Sequence, residues 1–291
     1  MSAAWWLSGA YLVGLWIWGE PYSEVLGVWT VWSLFWIPAW RFFFPFVGAF
    51  VFVAIAYHAQ WYGARVFQGT VHVREPHAFD LRFFGVMTPN GLVTPSEWWS
   101  AHANGVLDVM ACAAYLLFIF IFVIQLLAWE GRENKRQPNR KSLAPLTSSA
   151  LLAFVWVNLA GYATYCAYPA APPWYAARYG LGPAHAVAAS AAGCCRVDKL
   201  LHLAFFQSLY GRARDVFGAV PSLHVAYPFI GFFASACHRH CVGLSFFFYL
   251  WMCFSALYLS HHYVFDVLWG SAYAYAFCFA LFPGRDTSGC R

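Results

Sequence analysis

The sequence predicts an all-α, polytopic integral membrane protein. Of its 291 residues, 62% are hydrophobic and only 10% are charged, whereas a soluble domain carries about 25% charged residues. The apolar residues run along the whole chain instead of gathering in one anchor. They fall into stretches near the roughly 20 residues that a helix needs to cross a bilayer. Net charge is +5 and sits between those stretches, so lipids and the membrane, not nucleic acid, are the expected partners.

Taken in order, apolar spans are read at 3–19, 25–40, 42–60, 106–128, 146–168, 219–237, 242–260 and 264–282. The first, Ala3 to Gly19, lacks a basic flank and a small-residue cleavage site, so it is not read as a cleavable signal. The first three spans are short and rich in Trp and Phe, with Pro38 and Pro45 flanking Arg41. A helical hairpin, one kinked helix or partly interfacial helices all fit them. The densest positive run is Gly131-Arg132-Glu133-Asn134-Lys135-Arg136-Gln137-Pro138-Asn139-Arg140-Lys141. A basic loop between two apolar spans marks the cytoplasmic side.

That assignment places the segment between the fifth and sixth spans outside, so the sixth span starts outside at His224. The seventh then delivers His262 to the same external face. Two long external segments follow from this topology, roughly 61–105 and 169–218. The second contains Ala171-Pro172-Pro173-Trp174-Tyr175, whose aromatic pair suits either a rigid turn or stacking against a polyol ring or lipid head. It also contains Asp198 to Phe206, which predicts one amphipathic helix lying in the interface. With no repeat and no low-complexity linker, 1–291 reads as a single membrane domain, with N-terminal membrane helices over 1–60 and a catalytic core over 90–283.

Ionisable groups at the edges of such apolar helices are expensive and therefore functional candidates. Gly218-Ala219-Val220-Pro221-Ser222-Leu223-His224 and His261-His262-Tyr263-Val264-Phe265-Asp266 supply two histidines and an aspartate near the same face. His262 and Asp266, four apart, share one side of a helix. A carboxylate there orients an imidazole and raises its basicity, as a histidine nucleophile requires.

Pro221-Ser222-Leu223-His224 and His262-x-x-x-Asp266 resemble the second and third motifs of the type 2 phosphatidic acid phosphatase superfamily. Ala171-Pro-Pro-Trp-Tyr175, Arg196-Val-Asp198, Phe217 to His224 and His261-His-Tyr263 resemble its inositol phosphorylceramide synthase branch. The likeness covers roughly residues 90–283. It implies a six-helix core with extra N-terminal membrane helices. It also implies transfer of a phosphoinositol-type head group from a phospholipid donor to the hydroxyl of ceramide or a related lipid alcohol. By this resemblance, His262 attacks phosphorus to form a phosphohistidine and Asp266 holds its other ring nitrogen. His224 protonates the leaving oxygen and then deprotonates the incoming hydroxyl. Ser222 and the amides at the start of the sixth span are candidates for phosphate oxygens. Arg196 is a candidate phosphate clamp, or else it pairs with Asp198, which Lys199 can also pair, in a solvated loop. Asp108 is a candidate for sugar hydroxyls or for capping its helix, and Tyr263 is a candidate substrate contact. For His261, an interfacial role competes with catalysis.

Two features depart from the superfamily. Its first motif, Lys-x6-Arg-Pro, is missing, and Ala256 follows Ser255 where an arginine belongs. A site with fewer cations suits a singly charged phosphodiester better than a doubly charged monoester, although Arg178, Arg196, Arg212 or Arg214 could compensate. The alternative is a lipid phosphatase acting on phosphatidate or polyprenyl phosphate. A transporter would instead spread its ionisable groups through membrane depth. No metal or other cofactor is expected, because no carboxylate cluster accompanies the His-x-x-x-Asp pair. The nine cysteines show no ligand spacing. Cys112, Cys166, Cys237, Cys253 and Cys278 read as packing residues, and a disulfide between Cys194 and Cys195 is conceivable. The active site is expected on the non-cytoplasmic face of a bacterial inner membrane or a Golgi-like membrane. Whether a partner subunit is needed stays open.

Overall fold

A computed structural model describes residues 44–66, 70–138, 140, 142–182, 187–211 and 216–282. The expected spans at 3–19 and 25–40 lie outside these residues. The long helices are α1 (Phe44–Val66), α4 (Gly105–Arg136), α5 (Pro145–Ala167), α9 (Leu223–His238), α10 (Val242–Tyr258) and α11 (Val264–Leu281). Short helices α2 (Arg74–Phe84) and α3 (Pro95–Ala101) flank a small antiparallel hairpin, Val86–Thr88 with Gly91–Val93. Between α5 and α9 come α6 (Pro173–Tyr179), a 3-10 turn (Ala192–Cys194), α7 (Cys195–Leu200) and α8 (Phe205–Tyr210). The structure is therefore mostly helical. By length and composition α4, α5 and α11 can each cross a membrane, while α10 and the stretch Pro45–Gln60 of α1 are apolar but shorter.

Helix α9 is the hub and packs on α4, α5, α10 and α11. One apolar cluster fills the space between α1, α4, α5, α9 and α11, including Phe122, Leu126, Phe154, Val157 and Ile230. A second joins α4, α7, α9 and α10 through Cys112, Val197, Val225, Met252 and Leu259. Many large apolar side chains face outward instead, Phe120 and Ile124 of α4 and Phe279 of α11 among them. An outward apolar face is what a helix in contact with lipid requires.

The expected loop over 131–141 is partly helix. α4 runs on to Arg136, and Glu133 pairs with Arg136 one turn later. The reversal into α5 is tied by Glu130, which meets the Arg140 guanidinium and accepts from the Ala144 amide at 2.9 Å. The expected single interfacial helix over 198–206 is broken in two. His202 has a left-handed backbone (φ 53°), and the Asp198 carboxylate accepts from the Phe206 and Gln207 amides at 3.0 and 2.8 Å. An aspartate that caps the next helix in this way ends its own. Leu200, Leu201, Leu203, Phe205 and Leu209 along this pair of helices are exposed.

Candidate active site

The second motif enters α9 from an extended segment held by its neighbours. Ala170 bridges in parallel to both His72 and Gly218. Its amide donates to Phe217 O at 2.7 Å, and its carbonyl accepts from Ala219 N at 3.3 Å. The third motif is the connector between α10 and α11. Its His261 and His262 amides both donate to the Ala256 carbonyl at 3.1 Å. Where the superfamily places an arginine, Ala256 is thus a fully buried residue whose carbonyl folds the connector back. Gly193 lets the 3-10 turn lie directly on this connector. A Cβ there would come within 2.8 Å of Leu259 backbone, and its amide donates to Leu259 O at 2.9 Å.

These constraints bring His224, His262 and Asp266 together. The His262 Nδ1 lies 3.0 Å from the Ala219 carbonyl and 3.3 Å from Asp266 Oδ2. A carbonyl can only accept, so Nδ1 carries the proton and Nε2 is left with its lone pair. That Nε2 faces His224 Nδ1 at 3.5 Å. Asp266 is buried and also accepts from the Tyr263 amide at 2.9 Å. Burial pushes the His262 imidazole down to about 4, partly offset by the Ala219 carbonyl, so the ring is neutral at pH 7. Asp266 in the first turn of α11 and His262 just ahead of that helix form an arrangement able to attack an electrophile from Nε2.

The histidines open on a cavity of about 670 Å³. Its walls near them are Gly218, Ala219, Tyr115 and Tyr210, and it continues between α1, α4 and α5 along Val53, Leu116, Ile119 and Phe154. One end therefore carries the histidines, and the other is lined mainly by apolar side chains with Tyr57 and Tyr162 among them. Leu223 and His224 line it from the first turn of α9, where helix amides lack intrahelical acceptors and favour anions.

The other expected contacts fall elsewhere. Arg196 Nε donates to Asp108 Oδ1 at 2.8 Å, and its guanidinium lies over the Tyr258 ring. The Tyr258 hydroxyl donates to the same Asp108 oxygen at 2.9 Å. Asn104, not Asp108, caps α4, accepting from the Val106 and Leu107 amides. Asp108 and Arg196 thus satisfy each other between α4 and α7, and neither lines the cavity. Buried ion pairs are held by this mutual compensation, because removing one member strands the other. Ser222 is fully buried with its hydroxyl unpaired, and Tyr263 is buried against His77, its hydroxyl also unpaired. Trp174 lines the cavity, whereas Tyr175 packs inward against Tyr179 and Phe217. Arg178 lies over Tyr179, and Arg212 and Arg214 lie outside the described residues. Cys194 faces Cys112, Sγ to Sγ 2.8 Å, and not its neighbour Cys195. Among the described residues, no group of three His, Cys, Asp or Glu side chains could hold a metal.

Sequence reasoning passed over Asp80. Its buried carboxylate on α2 accepts from the Val264 and Phe265 amides at 2.9 and 3.1 Å. It therefore caps the helix that carries Asp266 from 184 residues away in sequence. No local pattern announces a cap donated by another element. Burial pushes this carboxyl up to about 6 from 3.8, against the pull of the two amides. Because the folded value is the higher one, its contribution to stability is complete below about pH 4 and is lost as pH rises through 6. Thermal unfolding in detergent should show wild type losing stability relative to Asp80→Asn between pH 4 and 6.5. Asp80→Ala, which strands both amides, should cost about 1–3 kcal/mol. Parallel pH curves for wild type and Asp80→Asn would refute the first expectation.

Comparison with known proteins supports the same region of the chain. The chain is 35% identical over 190 residues to a phosphoinositol dihydroceramide synthase of Bacteroides thetaiotaomicron, covering 64% of this chain and 59% of that protein. It is 36% identical over 123 residues to the inositol phosphorylceramide synthase catalytic subunit of Schizosaccharomyces pombe, or 42% and 29% of the two chains. Against the inositol phosphorylceramide synthase of Candida albicans it is 28% identical over 251 residues, 79% of this chain and 46% of that one. The chain thus spans about three-fifths of the bacterial relative and under half of either fungal protein. No solved structure matches it. The PAP2 superfamily model matches residues 90–280, a stretch holding both motifs, and on that match the chain belongs to the PAP2 superfamily.

Proposed function

We propose that this chain is a membrane phosphotransferase. It moves a phosphoinositol-type head group from a phospholipid to the hydroxyl of ceramide or a related lipid alcohol, through a phosphohistidine on His262. One observation carries the reading: an unprotonated His262 Nε2, backed by Asp266 and facing His224, opens on a cavity whose far walls are mainly apolar. A lipid can lay its chains along Val53, Ile119 and Phe154 while its phosphate meets the histidines. The activities for which the matched relatives are named agree with that chemistry.

In the first displacement the Nε2 lone pair attacks phosphorus. The bond from phosphorus to the diacylglycerol oxygen breaks, and protonated His224 gives that oxygen its proton. In the second, His224 takes the proton of the acceptor hydroxyl, whose oxygen attacks phosphorus as the nitrogen–phosphorus bond breaks. The α9 amides are the groups assigned to the phosphate oxygens; Ser222, expected in the same role, is fully buried outside the cavity lining. Arg196 is committed to Asp108, and among the described residues no lysine or arginine lines the cavity, which suits a diester. Tyr263 lies behind the histidines, where it supports the connector.

The six long helices would form one membrane unit with the reaction centre toward one rim. His224 begins α9, and His238 ends it, stacked on Trp129 near the basic turn. Fourteen residues separate them, about 21 Å of helix, so the site and the positive turn lie toward opposite membrane faces. By the positive-inside tendency the site is non-cytoplasmic, in a bacterial inner membrane or a Golgi-like one.

The test is purified protein in lipid nanodiscs, offered phosphatidylinositol with ceramide and, separately, phosphatidate. A new phosphosphingolipid with release of diacylglycerol is the expected product. Free phosphate from phosphatidate, with no phosphosphingolipid, would replace this reading by a lipid phosphatase.

A further inference from the structure

The transfer chemistry uses His224, His262 and Asp266 and leaves two polar atoms of the same cavity unused. The Tyr115 hydroxyl and His261 Nε2 are buried without a hydrogen-bond partner, their residues only 2% and 8% exposed. Both residues line the cavity. The unpaired hydroxyls of Ser222 and Tyr263 belong to residues that do not. Buried polar groups are nearly always satisfied, so an orphan on a residue that lines a cavity calls for a partner, and a ligand in that cavity can supply one.

Four rings form a stack through this wall. Tyr115 lies on His224, centroids 4.4 Å apart and 21° from parallel, and on His261 at 5.0 Å and 15°. His261 in turn lies on Tyr210 at 5.1 Å and 26°. The stack fixes the planes of Tyr115 and His261 beside the ring that handles the proton of the lipid alcohol. The leaving diacylglycerol and the incoming acceptor both pass that ring, while the polyol stays on phosphorus at His262.

The donor and acceptor character of the pair narrows its ligand. Burial holds the His261 imidazole well below its ordinary value, so the ring is neutral; a backbone hydrogen bond to Ala191 pulls weakly the other way. With that backbone carbonyl taking the ring proton, Nε2 is an acceptor only. An acceptor repels phosphate oxygen and calls for an N–H or O–H. The Tyr115 hydroxyl can donate or accept. Apart from its reacting hydroxyl, a diacylglycerol offers only ester oxygens. An N-acylated amino-alcohol lipid offers an amide N–H and a second hydroxyl.

We propose that Tyr115 and His261 form a recognition pair for the acceptor, selecting lipid alcohols that carry an N–H or second O–H beside the reacting hydroxyl. The proposal rests on the head-group transfer reading and adds to it a reason for direction: the pair holds ceramide better than the diacylglycerol it replaces.

Tyr115→Phe and His261→Phe keep the stacked rings and delete only polar atoms. Full-length wild type and both variants in nanodiscs would be compared by lipid binding and by kcat/KM of transfer. The lipids are ceramide, a ceramide lacking its second hydroxyl, diacylglycerol and phosphatidylinositol. Loss of one buried hydrogen bond predicts about a tenfold weaker binding of ceramide to each variant. Diacylglycerol and phosphatidylinositol should change little, and the discrimination between the two ceramides should shrink. Equal losses for all lipids would mean a packing role and overturn the proposal, as would a wild type with no preference for ceramide over diacylglycerol. Loss confined to phosphatidylinositol would overturn it by moving the pair to the polyol. A wild type that binds with the expected selectivity yet makes no phosphosphingolipid would sink the transfer reading and leave the pair standing.

Discussion

Replacing His262 by alanine is expected to abolish head-group transfer, leaving less than about one part in 10⁴ of wild-type kcat, the scale set by removal of a nucleophile from a triad. Among the described residues, no neighbour of His262 can substitute for it. His224 Nδ1 points at the vacated place from 3.5 Å, but no carboxylate stands behind that ring as Asp266 stands behind His262. The His261 ring is clamped between Tyr115 and Tyr210. The fold should survive, because the His262 amide, not its side chain, makes the bond to Ala256 that shapes the connector. The second expected sign is chemical. Wild type quenched in alkali during turnover with radiolabelled donor should retain acid-labile label on His262, and the alanine variant none. His224→Ala should slow both the appearance and the loss of that label, since the same ring is the acid of the first displacement and the base of the second. Transfer persisting within a hundredfold in the His262 variant would remove the covalent mechanism.

Asp266→Asn is expected to lower kcat by about 10³-fold, with the KM of both lipids little changed. The aspartate accepts from His262 Nδ1 at 3.3 Å and stabilises the imidazolium charge that develops as Nε2 bonds to phosphorus. Asparagine occupies the same space but can turn its amide N–H toward Nδ1, favouring the tautomer that protonates the attacking nitrogen. The Ala219 carbonyl, closer at 3.0 Å, still demands a proton on Nδ1. It opposes that tautomer and keeps the expected loss below the 10⁴-fold or so seen where a carboxylate acts alone. Asp266→Ala, which cannot impose the wrong tautomer but strands the Tyr263 amide, should lose stability as well as rate. A fall in kcat under tenfold for Asp266→Asn, or a change confined to KM, would show that the carboxylate only shapes the helix start.

Much of this site could be read along the chain because its parts lie at helix ends. His262 and Asp266 were expected on one helix face; His262 instead lies in the connector just ahead of α11, and Asp266 in the first turn reaches back to it and to the Tyr263 amide. Strongly apolar runs bounded the α4, α5, α10 and α11 helices to within a few residues, except where charges extended α4 to Arg136. Charged groups were harder. Asp108 and Arg196, 88 residues apart, each looked available for substrate because their partner was out of sequence reach. The helix expected over 198–206 failed for a similar reason: Asp198 turns its carboxylate forward to amides that a helix would have used internally.

Sequence by itself determined the membrane class, the family motifs and the three groups proposed to react, since hydropathy and spacing are local properties. Only the tertiary structure decided which polar groups are free for a ligand. It pairs Arg196 with Asp108, lends Asp80 to the start of α11, and leaves Tyr115 and His261 unsatisfied in the cavity. A polar side chain buried in an apolar bundle must be satisfied by something, and its partner is chosen by packing across the chain, at distances no pattern of neighbours encodes.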